Sequence, residues 1–144
     1  MKELNRIKRA QSASTVVNEA MLHTQNEVDL LENVCKQIVD VGEYIMVWVG
    51  YVQDTPERKV KPMAYGGGNH GYTNKLNIAL NDPKRGRGPT GNAICMNKPV
   101  ICRNFKKDPT FKIWANQALK RGYKTSIHLP LQYKGTVFGA LCIY

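Results

Sequence analysis

The sequence lacks several patterns that would point directly to a class of protein. Its four cysteines include no C-x-x-C pair, so the ligand spacing of a structural zinc site is missing. The longest apolar run, residues 44–52, is far shorter than the roughly 20 residues that cross a bilayer. No apolar block follows the basic residues of the opening MKELNRIKRAQ, as a secretory signal requires. We expect a cytoplasmic protein with no membrane span in this segment, whose cysteines are buried, reduced thiols.

Acidic residues are scarce in the second half of the chain. Residues 61–144 contain 14 Lys and Arg against two Asp and Glu, whereas residues 1–60 contain seven against nine. Such a basic half would suit a nucleic acid or another anionic partner. The lysines are scattered rather than aligned on one helix, however, and no strand carries the aromatic and basic motif of RNA-binding sheets. We interpret the excess as a solvated basic surface and do not expect nucleic-acid binding.

The turn GRGPTG, residues 86–91, lacks the features of a phosphate-binding loop. It is not followed by the Lys-Ser or Lys-Thr pair of a P-loop. Its spacing matches the dinucleotide pattern G-x-G-x-x-G, but the preceding ALNDPKR is not a buried strand. Pro89 also lacks the backbone N–H that a phosphate cradle would use. We predict a tight turn that positions a helix, which begins at Thr90 with its hydroxyl as the cap and runs to about Asn97.

The remaining elements follow from apolar periodicity and turn residues. Residues 3–22 predict a polar helix with few apolar positions, which suits a linker or a dimer-forming stalk. Residues 25–41 predict an amphipathic helix. Further predictions are strands at 44–52 and 60–65, a short helix near 73–76, a strand at 98–104, a helix at 108–122 and a hairpin of strands 124–133 and 136–144. Hairpins around a helical middle predict an α+β fold with an antiparallel sheet, divided into a linker helix, 1–22, and a domain, 23–144.

Three blocks of residues together resemble one family, the GAF domain. They are GRGPTGNA, DPTFKIWANQALKRGYKTS and LPL…GTVFGALCIY, within a similarity that covers roughly residues 25–144. The resemblance is to GAF domains that lie between sensory and signalling modules of bacterial proteins. It implies a GAF/PAS-like fold, with a central antiparallel sheet of about six strands and helices on its faces. It also implies a non-catalytic sensor of a small molecule or a partner, whose flanking helices pair into a homodimer.

The resemblance also implies an output domain beyond this segment. That domain would follow Tyr144, and in such proteins it is commonly a histidine kinase of a two-component system or an enzyme of cyclic-di-GMP signalling, a diguanylate cyclase or phosphodiesterase. GAF domains tend to have a closing helix after the last strand, which this sequence does not contain. We therefore expect the segment to be a piece of a longer protein.

Candidate ligand-binding residues come from the same resemblance. In GAF domains the pocket lies between the sheet and the helices and loops that cover it, which corresponds here to residues 65–80 and 110–128. The polar or amphipathic side chains of these ranges are Tyr65, Tyr72, Trp114, Ser126 and His128. Strand alternation places Ser126 and His128 on one face. The alternatives are that His128 is a satisfied, half-buried histidine, that Trp114 is a core residue, and that side chains fill the pocket.

We expect no catalytic residues and no metal ligands. Haem ligation by His70 or His128 has no support beyond residue type, and Cys95 and Cys102 lie where bilin attachment is not expected. Some GAF-fold enzymes reduce free methionine sulfoxide with cysteines, but the corresponding places here hold Pro89, Thr90 and the helix WANQALK. The alternatives that stay open are a structural dimerisation module with a closed pocket and, after it, a reductase-like enzyme or a nucleic-acid binder. The sequence names no ligand and no cofactor.

Overall fold

The computed structural model describes residues 2–21 and 26–144, with side chains for residues 2–13 and 26–144. The helices are α1 (Lys2–Met21), α2 (Glu27–Gly42), α3 (Pro89–Met96) and α4 (Ala115–Lys120), with short 3-10 helices at Tyr72–Lys75 and Pro109–Phe111. The strands are β1 (Met46–Val52), β2 (Val60–Gly67), β3 (Val100–Cys102), β4 (Ser126–Tyr133) and β5 (Thr136–Ile143). The predicted boundary between linker and domain, at residues 22 and 23, lies outside the described residues.

Within this described part, five strands form one sheet in the order β2-β1-β5-β4-β3, and every neighbouring pair is antiparallel. The predicted α+β fold is confirmed, with five strands where the resemblance implied about six. Trp48 on β1 pairs with Cys142 on β5, which pairs with His128 on β4. Residues directly opposite each other point to the same face of a sheet, so these three side chains share one face.

The opposite face of the sheet is covered by α1 and α2. The predicted stripe of α2 is confirmed, because Leu31, Val34, Cys35 and Ile38 are all buried. The helix packs very close to β2, since a Cβ added at Gly66 would lie 2.7 Å from the backbone of α2. α1 lies against α2 through the buried Ala10 and Ala13, small residues that let two helices approach. This face therefore holds a layer of aliphatic side chains beneath two helices.

The GRGPTG turn is a tight turn that positions α3, as predicted, but Thr90 does not cap the helix. Gly88 is the N-cap and Pro89 the first helical residue, which makes Thr90 the second. A Cβ at Gly91 would lie 2.1 Å from the carbonyl oxygen of Gly86, so close packing of backbone on backbone requires glycine here. The Thr90 hydroxyl instead points into the protein and meets buried partners on the sheet.

The predicted helix over residues 108–122 is interrupted. Asp108 caps its start as predicted, accepting a hydrogen bond of 2.9 Å from the backbone N–H of Thr110. The first turn then adopts 3-10 geometry, and the bond from Trp114 N to Phe111 O spans three residues rather than four. The tighter winding brings both aromatic side chains into the core. Regular α-helix resumes only at α4.

The cysteines are only partly as predicted. Cys35, Cys102 and Cys142 are buried free thiols, whereas Cys95 is exposed near the end of α3. The buried side of α3 is taken by Thr90, Ala93 and Ile94 together with the turn residues before them. Cys95 lies on the opposite, solvent-exposed side of this helix.

Candidate functional site

The sheet face opposite α1 and α2 carries a cluster of buried aromatic side chains beneath α3, α4 and the connecting loops. We call it the aromatic chamber, formed by Trp48, Tyr72, Phe105, Phe111, Trp114, Tyr123 and Tyr144. Tyr72 lies edge-on to Tyr123 and Tyr144, with ring centroids 5.1 and 5.5 Å apart. Phe105 and Phe111 stack at 3.9 Å. Such packing excludes water from whatever polar groups the chamber holds.

A chain of polar side chains runs along the sheet side of the chamber. His128 lies at its centre, with Nε2 2.7 Å from Ser126 Oγ and Nδ1 2.8 Å from Thr90 Oγ1. The Thr90 hydroxyl is also 3.4 Å from the sulfur of Cys142. All four side chains are buried. We call this group the polar chain, and it joins β4, α3 and β5.

Burial decides the protonation state of the polar chain. It lowers the pKa of His128 from 6.5 to about 3, although the nearby carboxylate of Asp108 acts in the opposite direction. The imidazole is therefore neutral at physiological pH, so one ring nitrogen donates a hydrogen bond and the other accepts one. Burial also raises the pKa of the Cys142 thiol to about 12. A neutral imidazole and a protonated thiol can position a ligand, but neither supplies a nucleophile or a charged acid at neutral pH.

The hydroxyl of Tyr72 is the unsatisfied group of the chamber. It is fully buried and close to Tyr144, yet it makes no hydrogen bond of ordinary geometry with any described residue. The Tyr144 hydroxyl also accepts a hydrogen bond of 3.1 Å from Trp48 Nε1, so Tyr72 is not its sole polar neighbour. Burial raises the pKa of the Tyr72 hydroxyl, which stays a neutral donor and acceptor. A buried hydroxyl without a partner costs about 1–3 kcal/mol, and a bound ligand could recover this cost.

A loop after β2 closes the chamber on the side of Tyr72. The hydroxyl of Tyr123 donates to the carbonyl oxygens of Gly68 and Asn69. Arg121 Nε donates to the carbonyl oxygen of His70 at 3.0 Å. These contacts hold residues 68–70 against the segment that ends α4.

The structure buries four of the five predicted site residues and leaves the fifth half-exposed on the same sheet face. Tyr72, Trp114, Ser126 and His128 are all buried at the chamber. Tyr65 pairs with Trp48 and so points to the same side, but it lies on the edge strand and 52% of it is exposed. Of the five, only Ser126 and His128 are in direct hydrogen-bond contact with each other. Trp114 donates from Nε1 to Leu76 O at 2.6 Å and holds the covering loop.

Three residues of the site were not predicted, namely Thr90, Cys142 and Tyr144. Cys142 and Tyr144 alternate along the last strand and its end, so a known pairing of β4 with β5 would have placed them beside His128. The pairing itself is not visible in the sequence. Thr90 carries no local signal at all, because its partners lie 38 and 52 residues away.

A metal-binding cluster and a membrane-spanning helix are both missing from the described part of the chain. No group of three or more His, Cys, Asp and Glu side chains is arranged to hold a metal ion there. None of the helices described has the length and apolar character needed to cross a membrane.

Comparison with known proteins agrees with this geometry. The family model of the GAF domain matches residues 24–144, whereas no curated protein matches the chain. NreA of Staphylococcus aureus, mutated in its nitrate binding site, is 25% identical with a TM-score of 0.61, covering 78% of this chain and 82% of that one. The GAF domain of a phosphoenolpyruvate-protein phosphotransferase from Coxiella burnetii is 18% identical with a TM-score of 0.66, covering 99% and 79%.

An enzyme shares the fold as well. The free methionine-R-sulfoxide reductase of Neisseria meningitidis, solved in complex with its substrate, is 17% identical with a TM-score of 0.64, covering 94% of this chain and 74% of that one. At this identity the likeness concerns the fold alone. The family model spans most of the chain and the sheet has the same overall fold as these structures, so this chain belongs to the GAF domain family.

Proposed function

We propose that this GAF domain is a non-catalytic sensory module, which binds a small molecule in the aromatic chamber. The observation that carries the proposal is the Tyr72 hydroxyl, which is fully buried among aromatic rings, has the Tyr144 hydroxyl as a polar neighbour and makes no hydrogen bond of ordinary geometry. A site of this kind recognises a ligand by a few directed hydrogen bonds inside an otherwise apolar enclosure. The ligand residues are Tyr72, Ser126 and His128, with Trp114 as an apolar wall and Tyr65 at the rim.

The chamber suits a small ligand with acceptor oxygens. Tyr72 can donate a hydrogen bond, and the neutral polar chain adds hydroxyl and imidazole groups nearby. Nitrate is the first probe, because NreA, whose nitrate binding site is known, shares 25% of its residues with this chain.

Nitrate titration of the full chain, followed by calorimetry, tests the proposal. We expect saturable binding that weakens at least about tenfold in Tyr72→Phe, which removes the buried donor and keeps the ring. Tyr133→Phe is the matched control, since Tyr133 is exposed at the far end of β4 and its hydroxyl is remote from the chamber. If nitrate and a panel of small oxygen-rich metabolites all fail to bind, or bind equally to both variants, the proposed ligand site is wrong.

The coupling of this site to other parts of a signalling protein is also a proposal. α1 lies against α2 on the opposite sheet face. We propose that the linker helix, residues 1–22, carries the response of the domain, residues 23–144. The partners we propose are a second copy of the chain and a cytoplasmic output domain after Tyr144, such as a bacterial histidine kinase or an enzyme of cyclic-di-GMP signalling. A ligand achieves this only if it binds two arrangements of α1 with different affinity.

The chemistry of the cysteines supports a role without catalysis. Burial raises the pKa of Cys35, Cys102 and Cys142 to about 12 in each case, which keeps these thiols protonated and unreactive. Cys95 is exposed on α3 and lies outside the chamber. We therefore expect no reduction of free methionine sulfoxide by the purified domain in the presence of a thiol reductant. Turnover that disappears in a cysteine variant would contradict this part of the proposal.

One observation favours a second candidate function. The rings of the chamber contact one another directly, with Phe105 and Phe111 stacked and Tyr72 wedged between Tyr123 and Tyr144. If the chamber stays closed, the domain would serve as a structural dimerisation module without a ligand. The nitrate titration separates the two functions, because a permanently closed chamber binds no probe.

A further inference from the structure

A cavity lies on the other side of the sheet, between α1 and strands β3, β4 and β5. Its volume is about 280 Å³. The floor is a row of three isoleucines, Ile101, Ile127 and Ile143, which are direct partners across the three strands. Ile7 of α1 forms part of the opposite wall. This body of the cavity is apolar.

The rim of the cavity is cationic. Arg6 and Arg9 reach it from α1, and Arg103 reaches it from the segment after β3. Two acidic side chains, Glu3 and Glu43, also line it, which leaves the positive charges in excess. We call this cavity the arginine cleft, defined by the three arginines and the isoleucine floor.

The arginines keep hydrogen-bonding capacity for a ligand. Arg6 donates one hydrogen bond of 2.8 Å to the Thr125 hydroxyl, and Arg103 pairs with Glu3 through a single nitrogen. Arg9 lies over the ring of Tyr44, with its Cζ atom 4.5 Å from the ring centroid, in a cation–π contact. A guanidinium has five donors in a planar fork, and the fork matches a carboxylate.

We propose that the arginine cleft binds a small organic carboxylate with an apolar body. The carboxylate would lie at the rim between Arg6 and Arg103, and the apolar body would lie on the isoleucine floor. Both chemistries are needed, because a free inorganic anion would leave the floor unused and a neutral hydrocarbon would leave the arginines unpaired. The isoleucine floor lies on the opposite face of the sheet from the aromatic chamber, and the two sites adjoin at Ser126 and Tyr144, which also line the cleft.

The cleft has a consequence for α1. Two parts of the molecule line the cleft. Arg6, Ile7 and Arg9 lie on α1, whereas the isoleucine floor lies on the sheet and Arg103 lies directly after β3. A ligand that contacts both would stabilise α1 in its docked position. The carboxylate would therefore act on the same helix that we assign to signal transfer, independently of what occupies the chamber.

Calorimetric titration of the full chain with octanoate, below its micelle-forming concentration, tests the site. We expect octanoate to bind and shorter straight-chain carboxylates to bind about two- to fourfold more weakly for each methylene removed. Octan-1-ol, which has the same body without the charge, should bind at least about tenfold more weakly. Equal binding of the acid and the alcohol, or no binding of either, would overturn the proposal.

Paired variants locate the site. Arg6→Gln should weaken octanoate binding about tenfold or more, whereas Lys8→Gln, with the same charge change on the exposed side of α1, should not. Ile7→Ser should weaken it while Leu4→Ser, at an exposed position outside the cleft, should not. Circular dichroism establishes that each variant is folded. If Tyr72→Phe rather than Arg6→Gln abolishes octanoate binding, the ligand occupies the chamber and the arginine cleft is not its site.

Discussion

At the scale of single residues, His128 shows how burial converts a titratable group into a fixed hydrogen-bonding group. Both ring nitrogens have hydroxyl partners, on Ser126 and Thr90, and neither has a carboxylate in direct contact. The hydroxyls can reverse their hydrogen-bond direction, so they accommodate either neutral tautomer. The ring is consequently held in position without the charge that a catalytic histidine acquires during its cycle.

The depressed pKa of His128 predicts that the domain loses stability in mild acid. The unfolded chain takes up a proton near pH 6.5, whereas the folded chain does so only near pH 3. The contribution of His128 is therefore complete above pH 6.5 and is lost as the pH falls from 6.5 towards 3, by up to about 1.4 kcal/mol for each pH unit. Urea unfolding at pH 7.5, 6 and 5 measures this slope.

The variant His128→Asn should be less stable than the natural chain at pH 7.5 but should lose this slope. His70→Asn is the control, because His70 is exposed and its replacement should leave the slope intact. A slope that survives in His128→Asn would mean that another group governs the acid response.

Local patterns in the sequence predicted part of the site and could not predict the rest. Alternation along β4 was enough to place Ser126 and His128 on one face, and both are at the chamber. Thr90 was assigned to a helix cap, because a threonine before an apolar run is a common cap. Its true role depends on the packing of α3 against β4 and β5, which no local pattern contains.

At the scale of secondary structure, the GRGPTG turn exists to bring α3 close to the sheet. A Cβ at Gly88 would lie 2.1 Å from the Trp114 ring, and one at Gly91 the same distance from the Gly86 carbonyl oxygen. The turn therefore resembles a phosphate loop in composition, but its glycines serve packing. The same close approach directs Thr90 towards His128.

We predict that Gly91→Ala lowers the free energy of unfolding by about 2–3 kcal/mol, because backbone atoms have to move to admit the methyl group. Gly135→Ala is the comparison, since its Cβ would meet open space and only its φ of 80° is unfavourable. That substitution should cost about 1 kcal/mol. Urea unfolding of both variants measures these two losses. A smaller loss in the free energy of unfolding for Gly91→Ala than for Gly135→Ala would contradict the packing role of Gly91.

Most of the elements were predictable, either from a clear apolar period or, where the period is weak as in α1, from the lack of glycine and proline. The stripe of α2 and the hairpin of β4 and β5 are examples. The interruption of the predicted helix over residues 108–122 was not predictable, because the sequence is compatible with a continuous α-helix. The 3-10 turn at Pro109–Phe111 depends on tertiary packing, which places the side chains of Phe111 and Trp114 in the same chamber.

At the scale of the whole molecule, the two helices on the outer face differ in charge. The sequence of α1 contains four basic residues (Lys2, Arg6, Lys8 and Arg9) against two acidic ones, whereas that of α2 contains four acidic residues (Glu27, Asp29, Glu32 and Asp40) against one lysine. Val41 of α2 is 86% exposed beside them. A two-fold arrangement in which α1 of one copy faces α2 of its partner would pair opposite charges around this apolar residue.

We therefore predict that the full chain is a dimer whose dissociation constant rises with salt concentration. Val41→Glu should yield a monomer at concentrations where the natural chain is dimeric. Tyr133→Glu, at an exposed position on the distant β4–β5 hairpin, should not. Light scattering after size exclusion measures the mass, and a Val41→Glu dimer would place the interface elsewhere.

The central claim is that the aromatic chamber is a ligand site, and native mass spectrometry of the freshly purified chain tests it most directly. Spectra are recorded under gentle and then denaturing conditions, with Tyr72→Phe measured in parallel. We predict a small-molecule adduct at one per chain, which is lost on denaturation and depleted in Tyr72→Phe. A natural chain free of any adduct, and without a thermal shift against nitrate or small metabolites, would contradict the claim and identify the chamber as a closed structural core.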